Sequence, residues 1–277
     1  MLLLFAISSL VLYLASAVSS LGMVLFKRPV LFRVGETLGQ IAFLFHTLSL
    51  ALLSKETMFL KFDSSGDYYF TAAWMLVLVY IILTGKVRSA VFGSLISAFA
   101  ALFLGNSSYL IHVTHTVISD PTPTLTPLLL IHVVPALIAE VSLVFIFVLS
   151  AVFIFQEQKI KQKSPDLALV GTSNLKSVNT LNQRFSIIGF VAMTLAVLSG
   201  SIWSISENQS LINNNLSTWF ALVSWCVLAF LLHARTTLAW APRKLSFASM
   251  ITTAICLVSF LLASLFTGNM LHGSLKL

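Results

Sequence analysis

Eight stretches of the sequence are each long and apolar enough to cross a hydrocarbon layer: about Leu2–Phe26, Glu36–Ser54, Tyr68–Thr84, Ser89–Gly105, Leu128–Phe155, Phe185–Ile205, Thr218–Leu238 and Leu245–Phe266. A spanning helix needs roughly 20 apolar residues, because it rises about 1.5 Å per residue and must satisfy its backbone polar groups internally. The pattern predicts an all-α integral membrane protein, a bundle of eight transmembrane helices forming a single polytopic domain over residues 1–277. Charge scarcity leaves little room for another class. Only 9% of the residues are Asp, Glu, Lys or Arg, against 58% apolar, whereas soluble domains carry about 25% charged residues. Such a chain cannot cover a water-facing surface, which excludes a soluble enzyme, and it is far too apolar to be disordered. The third and fourth stretches are short and separated only by Gly85-Lys86-Val87-Arg88, so a re-entrant pair competes with two spans there. No internal repeat is evident, which disfavours transporters built on inverted repeats.

The basic residues fall on alternate connections. Lys27, Arg28 and Arg33 follow the first stretch, Lys86 and Arg88 the third, and Lys159, Lys161, Lys163, Lys176 and Arg184 the fifth. Arg235, Arg243 and Lys244 follow the seventh; of the 16 Lys and Arg only Lys55, Lys61 and Lys276 lie elsewhere. Basic residues are retained on the cytoplasmic side of short loops, so both termini are predicted outside. The net charge of +7 is thus a topology signal toward a lipid bilayer; a nucleic-acid partner would need those charges on one face. Ala15-Ser16-Ala17 has the small-residue spacing of a signal-peptide cleavage site, but no basic residue precedes the apolar run and cleavage would leave a half-span, so the run reads as a span. Cys226 and Cys256 lie in separate spans, without a paired-cysteine redox motif or a C-x-x-C-H for covalent haem attachment; both read as small apolar packers. Two polar stretches remain. Gly105–Pro127 reads as an outside loop with three prolines, and residues 156–184 as a basic cytoplasmic linker too short to fold alone.

The sequence has no Gly-rich phosphate loop, no G-x-S-x-G, no H-E-x-x-H and no aspartate pair within a span, so it is not read as an enzyme. Its chemistry lies in six histidines, none on a cytoplasmic connection; imidazole is the commonest ligand of haem iron and transition metals. His46 lies ten residues into the second span and His233 five residues from the inner end of the seventh, roughly 15 Å and 8 Å deep at helical rise. Those depths let the two imidazoles face one another in the inner half of the bundle. His132, near the outer end of the fifth span, and His272, beyond the eighth, form a candidate outer pair. Each histidine also has a plain reading as a hydrogen-bonded bundle residue, although polar groups within membranes tend to mark function. His112 and His115, with Asp120 nearby, share a helix face and suit either a metal ion or a solvated loop. Glu140 sits twelve residues into the fifth span, where a carboxyl group is protonated, paired or beside a wet cavity; it could relay protons or bind a cation. Arg235 and Arg243 suit haem propionates, or simply snorkel to phospholipid.

Several short motifs, in order along most of the chain, resemble the cytochrome c assembly family of CcsA-like proteins and their HemX-like and YpjD-like relatives. They are Phe45-His46-Thr47-Leu48, Ile131-His132-Val133, Gln156-Glu157-Gln158-Lys159, Leu198-Ser199-Gly200-Ser201-Ile202-Trp203, Trp225 with Leu232-His233-Ala234-Arg235, Trp240 through Lys244, and Leu271-His272. The resemblance implies non-covalent haem b held by histidine, with His132 and His272 as the outer ligands, His233 as the intramembrane ligand and His46 as its partner. It further implies a multi-pass protein of the bacterial inner membrane that works with other cytochrome-assembly or haem-biosynthesis proteins. Between Trp203 and Trp219 the family's tryptophan-rich loop is replaced by an Asn- and Ser-rich segment. An aromatic platform stacks on haem and this segment cannot, so the HemX-like or YpjD-like branch fits better.

The leading expectation is therefore a haem-handling protein that assists cytochrome c assembly or haem movement. Two alternatives stand beside it: a cation-transport or transport-accessory protein using Glu140 and the intramembrane histidines, and a membrane regulator that contacts an enzyme through the basic linker without binding haem.

Overall fold

The computed structural model describes residues 2–57, 65–117, 127–163, 174–206 and 216–273. Among the described residues there are eight helices and no strand: α1 (Leu2–Phe26), α2 (Pro29–Thr57), α3 (Ser65–Leu83), α4 (Ala90–Val117), α5 (Pro127–Lys161), α6 (Leu175–Ser206), α7 (Leu216–Thr236) and α8 (Pro242–Gly273). All eight are long and apolar enough to cross a membrane. The third and fourth stretches are complete, separate helices, and the re-entrant alternative falls away.

The direction in which side chains are sorted identifies the solvent. On α1, Leu3, Leu4, Ile7, Val11, Leu14, Val18, Leu21 and Leu25 are exposed, while Ser9, Tyr13, Ser16 and Ser20 are buried. These sets alternate at the three- and four-residue spacing of one helix face. Apolar out and hydroxyl in is the reverse of a water-soluble protein, and it is what a hydrocarbon solvent selects, since small and polar residues make the helix contacts there. The protein is thus an integral membrane protein.

Helix ends follow local chemistry. α1 stops where Lys27 takes the left-handed conformation, φ 57°, with its N–H on the Met23 carbonyl at 3.0 Å, and α2 begins at Pro29, whose missing N–H costs nothing in a first turn. α7 and α8 meet in the same way, through Ala239 at φ 45° and Pro242.

Several boundaries differ from the sequence reading, among them the start of α2 at Pro29 and the end of α8 at Gly273. Residues 106–117, expected in the outside loop, continue α4, because neither glycine nor proline interrupts that segment and the first helix-breaking proline is Pro121. α5 runs past Phe155 to Lys161, where lysines favour the negative helix end and Lys161 bonds Glu157 at 2.7 Å one turn back. α6 begins at Leu175, with Asn174 Oδ1 accepting the Lys176 N–H at 2.9 Å as its N-cap. Polar residues that are good helix formers extend a span beyond its apolar part.

The helices group into two compact units. Unit 1 comprises Met1–Lys61, Tyr69–Gly105 and Val148–Asn182; unit 2 comprises Phe62–Tyr68, Asn106–Phe147 and Gln183–Leu277. In unit 1, α1 packs along α2, and Asn182 Nδ2 donates to Ser150 Oγ at 2.9 Å. In unit 2, Phe145 stacks on Phe185 at 4.5 Å, and α7 packs on α8 through Leu231, Ala234 and Leu245.

One local arrangement occurs in both units. In unit 1, Trp74 stacks on Phe43 (5.8 Å, 23°), its Nε1 donates to Thr47 Oγ1 at 2.9 Å, and Thr47 donates to the Phe43 carbonyl at 2.8 Å. In unit 2, Trp225 stacks on Phe190 (5.9 Å, 24°), its Nε1 donates to Thr194 Oγ1 at 2.9 Å, and Thr194 donates to the Phe190 carbonyl at 2.8 Å. The starts of α2, α3 and α4 at Pro29, Ser65 and Ala90 recur at near-constant interval in α6, α7 and α8 at Leu175, Leu216 and Pro242. The two units thus share one local arrangement at a similar place in their helix order. The signal available was Phe-x-x-x-Thr followed by a tryptophan one helix later.

Candidate functional site

His132 lies near the start of α5, one turn before Pro135. Its Nδ1 is 2.8 Å from the Ala196 carbonyl on α6. A carbonyl only accepts, so the hydrogen is on Nδ1 and the lone pair of the neutral ring is on Nε2. The ring is seated by a missing side chain: a Cβ at Gly200 would fall 2.8 Å from His132 Cε1 and 2.9 Å from Nδ1. Ser199, beside it, turns inward and donates to the Leu195 carbonyl at 2.6 Å. The Leu-Ser-Gly motif thus has a physical reading, in which serine satisfies itself within α6 and glycine makes the place where the imidazole lies. A backbone-anchored Nδ1–H that leaves Nε2 basic is the usual arrangement of a metal-ligating histidine.

His46, on α2, is fully buried in unit 1. Its Nδ1 is 3.4 Å from the Tyr13 hydroxyl of α1, and the Phe70 ring of α3 meets it edge-on at 4.6 Å. The Phe70 main chain acts on the imidazole electrostatically, but Nε2 makes no hydrogen bond. Buried polar atoms are rarely left in that condition, and the exceptions tend to be functional. Tyr13 was missed by the sequence reading; a lone tyrosine at the centre of the most apolar span was the available signal.

His233, near the end of α7, is exposed, and its carbonyl caps the helix by accepting from the Thr237 and Leu238 amides. His46 and His233 belong to different units. Arg235 follows two residues later, half-buried. Arg243 lies in the first turn of α8 against Phe247, and Lys244 sits 4.0 Å over the Trp240 ring. Trp240 through Lys244 is thus a folded corner between α7 and α8, with Trp240 packed on the Leu231–Leu245 cluster. His272 lies in the last turn of α8, and His112 and His115 lie on α4; their side chains, and Asp120, fall outside the described residues. Among the described residues no group of three or more His, Cys, Asp or Glu could hold a bare metal ion.

Glu140, at mid-α5, is 3% exposed; the Tyr68 hydroxyl hydrogen-bonds its carboxyl group, and Oε1 has no partner. Unit 1 also holds a cavity of about 260 Å³ between α1, α2, α3 and the start of α4, lined by Tyr13, Ser16, Ser20, Glu36, Tyr80, Arg88 and Ser97 among others. Neither sequence spacing nor motif pointed to it.

Residues 67–272 match the residue pattern of the family described as cytochrome C assembly protein. The cytochrome c biogenesis protein CcsA of Cyanidium caldarium is 25% identical over 218 residues, covering 68% of this chain and 72% of that protein. The CcsA proteins of Mesostigma viride and Chlamydomonas reinhardtii are 30% identical over 98 residues and 28% identical over 118, covering 35% and 42% of this chain and 32% of each of those proteins.

Proposed function

The chain belongs to the cytochrome c assembly protein family, and on that premise we propose that it holds haem b non-covalently through histidine and assists haem movement or cytochrome c assembly. The observation that carries this reading is His132. Its Nδ1–H is anchored on the Ala196 carbonyl and its ring is seated over Gly200. When bound, haem supplies an iron that accepts imidazole nitrogen and exchanges electrons. The protein supplies the rest: ligand orientation, an apolar surround and a route, with no bond-making on a substrate.

In this reading His132 and His272 are the outer ligands, and His46 and His233 the ligands within the membrane. Arg235 and Arg243, at the basic corner between α7 and α8, pair with carboxylate groups of the ligand. His46 is suited by its orphaned buried Nε2. The Asn- and Ser-rich segment between Trp203 and Trp219 offers no stacking surface, which favours the HemX-like or YpjD-like branch, acting in the bacterial inner membrane with other assembly or haem-biosynthesis proteins. Protein purified from haem-replete cells should show a Soret band, and His132→Ala should lower the haem-to-protein ratio at least about fivefold. Wild-type protein that is haem-free and fails to take up added haemin would remove the reading.

Glu140 favours a second component, a proton or cation step in the same protein, because a buried carboxyl group with one unpartnered oxygen is costly within a membrane unless used. Glu140→Gln keeps shape and hydrogen bonding. It should therefore preserve folding and haem content while slowing any proton-coupled activity; an unchanged rate would confine Glu140 to a structural role.

A further inference from the structure

We propose that the cavity in unit 1 seats the head of a phospholipid that carries both a phosphodiester and a primary ammonium, of the phosphatidylethanolamine type. The cavity opens sideways. At its back Ser16 and Ser97 are buried, whereas Glu36 and Gln40 of α2, Tyr80 of α3, and Arg88 are partly or wholly exposed. The accessible residues border a slot between α2 and the end of α3. Gln40 lies within the membrane-crossing part of α2, one turn deeper than Glu36, and is exposed. Polar groups at that depth are costly without a partner.

The slot continues along one helix face. Glu36, Gln40, Leu44 and Leu48 succeed one another at four-residue spacing, which stacks them along the same side of α2. Leu44 and Leu48 are 57% and 42% exposed. From the cytoplasmic end inward this side reads charge, amide, hydrocarbon. A phospholipid presents headgroup, ester and acyl chain in the same order. The cavity volume, about 260 Å³, is below the roughly 300–1,000 Å³ that encloses a drug-sized molecule, so it takes a head and leaves the chains outside on the leucines.

The charges stand at headgroup level and are of the two kinds required. Arg88 shares with Lys27, Arg28 and Lys86 the connections that mark the cytoplasmic surface, where lipid heads form a layer roughly 5–7 Å thick. Glu36 Oε2 and Arg88 Nη2 are 3.6 Å apart, and their side chains are 24% and 64% exposed. A pair so long and so open contributes little, and a ligand that gives each charge a closer partner replaces it at small cost. Arg88, supported by the Phe32 ring at 6.0 Å, suits a phosphate, to which a guanidinium donates two parallel N–H bonds. Glu36 suits the ammonium. An anionic lipid would leave Glu36 without a cation and facing like charge. The walls choose between zwitterions. A primary ammonium has three N–H donors, and Gln40, Ser20 and Tyr80 offer oxygens to them; a quaternary ammonium has none and is recognised by a cage of aromatic faces.

The site does not depend on haem, and the test uses the whole protein as purified. Phosphatidylethanolamine, phosphatidylcholine and phosphatidylglycerol with identical acyl chains are added in equal amounts and bound lipid is counted by native mass spectrometry. One phosphatidylethanolamine should be retained about fivefold over either competitor, the worth of one well-placed charge at a membrane surface. Arg88→Gln should lower its retention by a similar factor. Glu36→Gln should erase the preference over phosphatidylcholine while leaving phosphatidylcholine retention unchanged. Lys86→Gln removes the same charge from the same connection but not from the cavity, and should change nothing for a lipid of zero net charge. Unaltered elution in size exclusion establishes that each variant is folded. Equal retention of the three lipids, a preference that survives both cavity substitutions, or a loss in Lys86→Gln as large as in Arg88→Gln would overturn the site. Displacement of the bound lipid by soluble phosphoethanolamine would overturn the lipid as occupant and leave a soluble zwitterion in its place.

Discussion

Valine at Gly200 is expected to unseat His132, and with it most of the bound haem. Even the Cβ of alanine would lie 2.8 Å from the imidazole, closer than carbon atoms approach, so the ring must swing away and surrender its 2.8 Å bond to Ala196. A hydrogen bond between helices in a membrane contributes about 0.6–1.7 kcal/mol, and forcing a bulkier side chain into a filled site costs a further 1–3 kcal/mol or so. Gly200→Val should therefore lower unfolding stability in detergent by about 2–4 kcal/mol and reduce the haem-to-protein ratio at least as far as His132→Ala does. His132→Ala alone should cost less, about the 0.6–1.7 kcal/mol of the lost bond. The Ala196 carbonyl remains within its own helix and within 3.2 Å of Ser199 Oγ, so no buried group is orphaned. The decisive comparison is the double variant. If the valine acts by displacing the ring, removing the ring removes the clash, and Gly200→Val/His132→Ala should be more stable than Gly200→Val. Simple additivity of the two losses would mean that the valine disturbs something other than His132.

How much of this was legible beforehand depended on whether a feature was local. The eight spans could be read directly, because a run of about 20 apolar residues has few soluble explanations. The order of short motifs around His46, His132, Gly200 and His233 was enough to find the family. What Gly200 does could not be read, since a glycine in a sequence does not say which residue 68 positions earlier lies against it. The helical extensions to Val117, Lys161 and back to Leu175 were missed for a different reason: hydropathy marks where lipid ends, and helices end only where a breaker or a cap stops them. The Phe, Thr and Trp arrangement that the two units share was hidden because in each unit it joins residues from two helices. The cavity lined by Glu36, Arg88 and six hydroxyl side chains draws residues from four helices, none of which is unusual in its own span.

A structural effect of comparable size is expected where two backbones touch. Gly35 on α2 faces Ser16 and Ser20 on α1, and a Cβ there would meet Ser20 Oγ and lie 3.1 Å from both the Ser16 carbonyl and the Ser20 amide. In a helix interior Gly→Ala is worth about 1 kcal/mol of stability gained, so propensity and contact oppose each other, and the nature of the neighbouring atoms decides. Ser20 Oγ can rotate away; the main chain of α1 cannot. Gly35→Ala should be mildly destabilising and largely rescued by Ser20→Ala. Gly35→Val should lose about 2–3 kcal/mol and resist that rescue, because its branches press on the α1 backbone and the helices must part. Parting them also breaks the 2.8 Å bond from Ser16 Oγ to the Gly35 carbonyl and lengthens the already long 3.4 Å approach of Tyr13 to His46. Denaturant unfolding of the four proteins checks the energies, and near-ultraviolet circular dichroism checks the tyrosine environment. Full rescue of Gly35→Val by Ser20→Ala would show that a side chain, and not the close approach of two helices, sets the spacing of α1 and α2.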